Sequence, residues 1–163
     1  MNIDIETRIN DSSSEDLRLV LRLAAFNNLI QNELRNRLRL QFDMTSPRYD
    51  LLAQLSTEAQ GLKMGELSER LMVSNGNITA ISLQLEKAGL ISRTTNRQDR
   101  RSTFIKMTAK GKKIFAKMEA AYNQWVEELL SELSKQSKER LYSSLDDGKQ
   151  AVYSILMTTK AKD

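Results

Sequence analysis

Residues 67–111 read LSERLMVSNGNITAISLQLEKAGLISRTTNRQDRRSTFIKMTAKG, and this stretch decides the fold. Its start belongs to a short helix, about Met64 to Met72, packed through Leu67 and Leu71. Val73-Ser74 is too short for more than a tight turn. A second helix follows from Asn75 to Ala88, with Ser74 as N-cap, Ile78, Ile81 and Leu85 as its inner stripe and Gly89 as its stop. Two helices so closely joined predict a helix-turn-helix. Beyond Gly89 the pattern switches to two strand candidates, Leu90–Thr94 and Thr103–Met107, separated by a polar connection that carries three arginines. Such a hairpin beside a helix-turn-helix is a wing.

Working outward, glycine and proline punctuate only the centre. The first 46 residues contain neither, and after Gly111 only Gly148 remains, so long helices flank a compact, turn-rich core. Upstream, Leu19, Leu23, Phe26, Ile30, Leu34 and Leu38 recur at helical spacing between Glu15 and about Gln41, widened by Leu17, Leu21, Ala24 and Ala25. A helix apolar around so much of its girth needs more than one neighbour, which implies a partner subunit. Ser46-Pro47 signals the start of a second helix, to about Ser56. Downstream, Thr108 is placed as the N-cap of a helix reaching about Leu133, and Ser137 as the start of a last helix using Leu141, Leu145, Val152, Ile155 and Leu156. The expected fold class is mainly α with a small β-hairpin wing. Residues 1–14 are expected to fray and 15–163 to form one domain, with a winged core at about 46–110 and dimerisation helices at about 15–41 and 112–160.

The composition narrows the chemistry. The chain has no histidine and no cysteine, which excludes thiolate nucleophiles, disulfides, cysteine or histidine zinc sites and the commonest general base. The Asp146-Asp147 doublet reads as a solvated surface pair, so the expectation is no catalysis, no metal and no cofactor. No apolar run approaches membrane-spanning length, and the amino terminus lacks the layout of a secretory signal. The default reading is cytoplasmic, without a membrane partner.

Charge points to a polyanion. Net charge is +4, but between Gln84 and Met118 ten basic residues face two acidic ones, a local +8 inside an otherwise acidic chain. Ser74, Asn75, Asn77, Thr79 and Ser82 offer hydroxyls and amides on the second helix of the pair, the chemistry that phosphate oxygens and base edges require. In the wing region, Arg93, Arg97, Arg100 and Arg101 suit a narrow, electronegative minor groove, and Asp99 is placed as an organiser of its arginine neighbours. Lys110, Lys112 and Lys113 could reach phosphates or be solvated. A non-specific architectural DNA binder and a helical protein-interaction module stand as alternatives to a sequence-specific regulator.

In order and spacing, Leu67-Ser68-Glu69-Arg70-Leu71, Val73-Ser74, Asn77-Ile78-Thr79, Leu85 through Ile91, Arg93, Asp99-Arg100-Arg101 and Lys106 through Gly111 resemble the winged-helix MarR family of bacterial transcriptional regulators. The resemblance implies a homodimer whose terminal helices interlock, two lobes reading a pseudo-palindromic operator in double-stranded DNA, and Arg101 of the wing D-x-R as a minor-groove contact. It further implies a small organic effector, an aromatic acid, a phenolic compound or a coenzyme A thioester, that releases a repressor from DNA. The cleft for it would lie near the first, second and fifth helices, with Arg22, Asn28 and Tyr49 as lining and Met118 or Trp125 as apolar wall. The sequence departs from the family where Ala80 and Gln84 replace a frequent arginine, and Met107 a usual leucine.

Overall fold

The computed structural model of this chain describes residues 4–95 and 103–160. A 3-10 turn at Ile5–Arg8 precedes α1 (Glu15–Phe42), α2 (Ser46–Ser56), β1 (Leu62–Lys63), α3 (Met64–Leu71), α4 (Asn75–Lys87), β2 (Ile91–Thr95), β3 (Thr103–Met107), α5 (Ala109–Leu129) and α6 (Lys135–Lys160). The fold class is the expected one, mainly helical with a small antiparallel sheet. Residues up to Val126 form one compact unit and those from Glu127 onward a second.

In the first unit the core is aliphatic. Leu34 and Leu38 of α1, Leu51 and Leu52 of α2, Leu67 of α3, Ile78 and Leu85 of α4 and Ile105 of β3 are all but inaccessible to solvent. Each of these side chains contributes roughly 1.5–3 kcal/mol by leaving water. The sheet order is β1-β3-β2, with β2 and β3 paired from Ile91↔Met107 to Thr95↔Thr103. β1 pairs Leu62 with Ile105. This two-residue strand was not expected from the sequence, because so short a segment carries no alternation to read.

Local chemistry sets most boundaries. The hydroxyl of Ser14 accepts from Leu17 N–H and opens α1. The N-cap of α2 is Thr45, one residue before the expected Ser46, and Pro47 sits in its first turn. Ser134, whose Oγ accepts from Ser137 N–H at 3.1 Å, opens α6 rather than Ser137. Part of the segment expected to fray is folded. The 3-10 turn lies against α1, and Arg22 forms an ion pair with Glu6 at 2.9 Å.

The inner face of α1 differs from the expected stripe. Leu21, Ala25, Leu34 and Leu38 are buried, while Leu19, Leu23 and Phe26 are exposed. Apolar residues occupy two faces of this helix, and periodicity alone cannot say which one the chain covers itself. In the second unit, Leu141, Leu145, Val152, Ile155 and Leu156 of α6 are all exposed. Among the described residues no helix is long and apolar enough to cross a membrane.

Candidate nucleic-acid interface

The amino end of α4 is built by the turn before it. Helix α3 stops at Met72, which takes the left-handed conformation (φ 53°), and Val73 N–H then reaches back to Ser68 O at 3.1 Å while the Ser68 hydroxyl donates to Val73 O. These bonds satisfy the last carbonyls of α3 and turn the chain at once into α4. Ser74 caps that helix, its Oγ accepting from Asn77 N–H at 3.3 Å. Ile78, Ser82 and Leu85 seat α4 against α2, α3 and β2. Ser74, Asn75, Asn77 and Thr79 are left exposed. The Thr79 hydroxyl donates to Asn75 O at 2.9 Å, which leaves its methyl and an acceptor lone pair for a partner.

Two of the expected contact residues face elsewhere. Ser82 has no exposed surface, and its hydroxyl has no hydrogen-bond partner. The buried line of α4 runs through Ile78, Ser82 and Leu85, with Ile81 only half-buried, so the helix is rotated from the expected register. Arg93 is half-buried and turned to α4, where its Nε lies 3.4 Å from Glu86 Oε2 without hydrogen-bond geometry. It fastens the sheet to the helix and is not a free cation. Arg97, Asp99, Arg100 and Arg101 lie outside the described residues, in the segment that joins β2 to β3.

The start of α5 is clamped to the end of α4. The Thr108 hydroxyl donates to Gly89 O at 2.7 Å and accepts from Gly111 N–H at 3.0 Å, and Thr108 N–H donates to Leu90 O. Gly89 itself closes α4 with φ +72°, a conformation that costs other residues dearly. Lys110 Nζ donates to Ala88 O at 2.8 Å. This lysine caps the carbonyl end of α4. Lys87, Lys106, Lys112, Lys113 and Lys117 remain exposed.

Beside α4 lies an open cleft of 440 Å³ lined by Thr45, Pro47, Val73, Asn77, Ala80, Ile81 and Gln84. Arg48, in the first turn of α2, has a buried Nε without a hydrogen-bond partner. No sequence pattern signals it, since an orphaned guanidinium nitrogen shows only in three dimensions.

The expected effector residues separate into groups. Tyr49 and Trp125 join an aromatic cluster in which Tyr49 stacks on Tyr122 (4.5 Å between centroids) and lies 5.6 Å from Phe115, while Trp125 lies 6.4 Å from Tyr122 and 6.2 Å from Phe42; Met118 is buried on α5. Burial, then the neighbouring charges of Tyr122, Glu119 and Asp50, pushes the Tyr49 phenol well above its ordinary range. Tyr122 is raised by burial and by Asp50, and partial burial raises the Asp50 carboxyl. Arg22 is not part of this cluster. It lies on the same straight helix as Phe42 but about 30 Å away at 1.5 Å per residue. Asn28 is exposed on that helix.

With this geometry in place, residues 44–103 match the MarR family model. This segment of the chain is similar to the MarR family. Among curated relatives, the HTH-type transcriptional regulator PapX of Escherichia coli is 41% identical over 87 residues, which cover 53% of each chain. The chain spans about half to two thirds of the length of the curated relatives it matches. Solved structures of transcriptional regulators superpose well on its fold. The transcriptional regulator BldR from Sulfolobus solfataricus covers 84% of this chain and 96% of its own at a TM-score of 0.73 and 26% identity. MepR of Staphylococcus aureus, solved as a DNA complex, gives 0.71 at 21% identity over 85% of this chain and 99% of its own. PcaV from Streptomyces coelicolor, solved with its natural ligand, gives 0.67 at 20% identity over 88% and 98%. Both of these share the fold.

Proposed function

We propose that this protein is a homodimeric, sequence-specific DNA-binding transcriptional regulator, a repressor released from a pseudo-palindromic operator by a small organic ligand. The observation that carries the reading is the exposed polar end of α4, where Ser74, Asn75, Asn77 and Thr79 stand clear of the core. A helix held this way enters the major groove amino end first, with its dipole favouring phosphate. The exposed lysines around the start of α5 and on β3 supply the sequence-independent part of the affinity. Arg101, on the residue pattern of the wing, is the minor-groove contact. None of these steps involves catalysis.

Homodimerisation is supported by apolar residues left in water. On α1 these are Leu17, Leu19, Val20, Leu23, Phe26 and Leu29, and on α6 the residues from Leu141 to Met157. Faces of this size on a monomer call for cover. An aromatic or phenolic effector would sit against the Tyr49, Tyr122 and Trp125 cluster, whose mutually packed rings would part to admit a planar guest. PcaV, a protein of the same fold, holds a ligand of its own. The effector would act by favouring a lobe spacing other than the roughly 34 Å that successive major grooves require.

The test is fluorescence anisotropy on duplex DNA from upstream of the protein's own gene, with excess random competitor and a salt series. Binding that survives competition and falls on addition of an aromatic acid is the expected result. Loss of binding to competitor would replace the reading with a non-specific architectural binder, and no binding at low salt would overturn it.

A further inference from the structure

The outward face of α4 has an unusual chemistry for a helix that reads bases. Its buried line is Ile78, Ser82 and Leu85. At 100° per residue the opposite line falls on Ala80, Leu83 and Lys87, flanked by Asn77 and Gln84 on one side and Thr79 on the other. All six are exposed, Leu83 by 51%. No cation stands on this face before Lys87 in the last turn, and the one acid of the helix, Glu86, is paired with Arg93.

Base pairs differ in what they ask of such a face. Guanine presents two acceptors in the major groove and is read by the paired donors of arginine or by lysine, while cytosine presents an amino donor that calls for an acid. The first three turns of α4 hold neither partner in a free state. Adenine presents one acceptor and one donor, which a carboxamide matches with two bonds, and thymine presents a methyl group. Asn77 and Gln84 carry the carboxamides. Ala80, Leu83 and the Thr79 methyl provide apolar surface, and Thr79 has already committed its hydroxyl proton to Asn75 O. A G·C pair set against Ala80 and Leu83 would lose water from its polar edge and gain no bond in return.

From this complementarity we infer that α4 selects A·T pairs, so that the operator half-site is a run of adenine and thymine under the recognition helix. Asn77 and Gln84 are about 10 Å apart along the axis, which corresponds to about three base-pair steps. The inference rests on the DNA-binding reading above and assigns the bases that this same site takes. Asn77 and Gln84 are the residues that discriminate adenine, and Ala80 and Leu83 those that receive thymine methyls.

The experiment is selection from a random duplex library with the full chain, followed by base-analogue titration on the selected site. The expected half-site contains at least three consecutive A·T pairs. Replacing thymidine by deoxyuridine in that run removes only the major-groove methyl and should weaken binding about fourfold for each buried methyl. Gln84→Arg, an exposed and fold-neutral change, should convert one position to guanine. A G·C pair fixed within the run would overturn the inference while leaving a sequence-specific regulator. An A·T run insensitive to deoxyuridine would also overturn it, because the preference would then arise from minor-groove shape. Retention without any consensus overturns both the inference and sequence specificity, and no retention at low salt overturns the DNA-binding reading itself.

Discussion

Replacing Gly111 by alanine should damage this fold more than a single methyl group suggests. A Cβ at Gly111 would fall 2.0 Å from Leu90 O and 2.8 Å from Met107 Cγ, against an ordinary contact of 3.4 Å or more. The first turn of α5 must therefore retreat by over an ångström from the α4–β2 junction. Three hydrogen bonds cross or brace that contact, Thr108 N–H to Leu90 O, Thr108 Oγ1 to Gly89 O and Gly111 N–H to Thr108 Oγ1. Losing two of them costs about 1 kcal/mol each. Overpacking adds roughly 1–3 kcal/mol, and the better helix propensity of alanine returns about 0.5–1 kcal/mol. The expected net destabilisation is about 2–4 kcal/mol. Urea unfolding followed by circular dichroism, at fixed subunit concentration, measures it. The same change at Gly148 in α6 is the internal control, because a Cβ there meets nothing within 4 Å and should stabilise by about 0.5–1 kcal/mol. Equal effects at the two glycines, or a Gly111→Ala variant within about 0.5 kcal/mol of the parent, would refute the clamp as described.

Ser82→Ala removes a buried hydroxyl that has no partner and is expected to raise stability by about 1 kcal/mol with DNA affinity unchanged, read by thermal melting and anisotropy. Arg101→Ala should weaken operator binding and leave the oligomeric state intact, checked by anisotropy beside analytical ultracentrifugation; unchanged affinity would remove Arg101 from the interface. The raised Tyr49 and Tyr122 phenols predict alkaline sensitivity. Their folded pKa values lie above the ordinary value of 10.0, so the stability they contribute is complete below that pH and is lost as pH rises above it. The Tyr49→Phe, Tyr122→Phe double variant should unfold at higher pH than the parent, monitored by circular dichroism.

Much of this was legible in the sequence where the determinants are local. Ser74, Gly89 and Thr108 mark helix ends through their own hydrogen bonds or backbone conformation, and α3, α4 and the hairpin fell within a residue or two of their observed limits. What failed depended on neighbours. Ile78, Ile81 and Leu85 define a stripe whose centre is ambiguous by a fraction of a turn, and packing against α2 and α3 rotated it enough to bury Ser82. Arg93 reads as a free cation until Glu86 is found beside it. Helix faces alone do not place the effector lining that the resemblance implies, and Arg22 stands twenty positions along α1 from Phe42 of the aromatic cluster. The Tyr49–Tyr122 stack joins α2 to α5 across more than seventy intervening residues, and no periodicity announces it.

The clamp between α4 and α5 has a mechanical consequence. Lys110 and Thr108 hold one end of α5 against the carboxyl end of α4, while Trp125, fifteen residues along, sits in the aromatic cluster about 22 Å away. Helix α5 is thus a lever with its fulcrum at the clamp and its long arm ending in the cluster. A guest that shifts the Trp125 region sideways by about 2 Å would tilt this arm by about 5°, and with no slack at the clamp the same angle passes to α4.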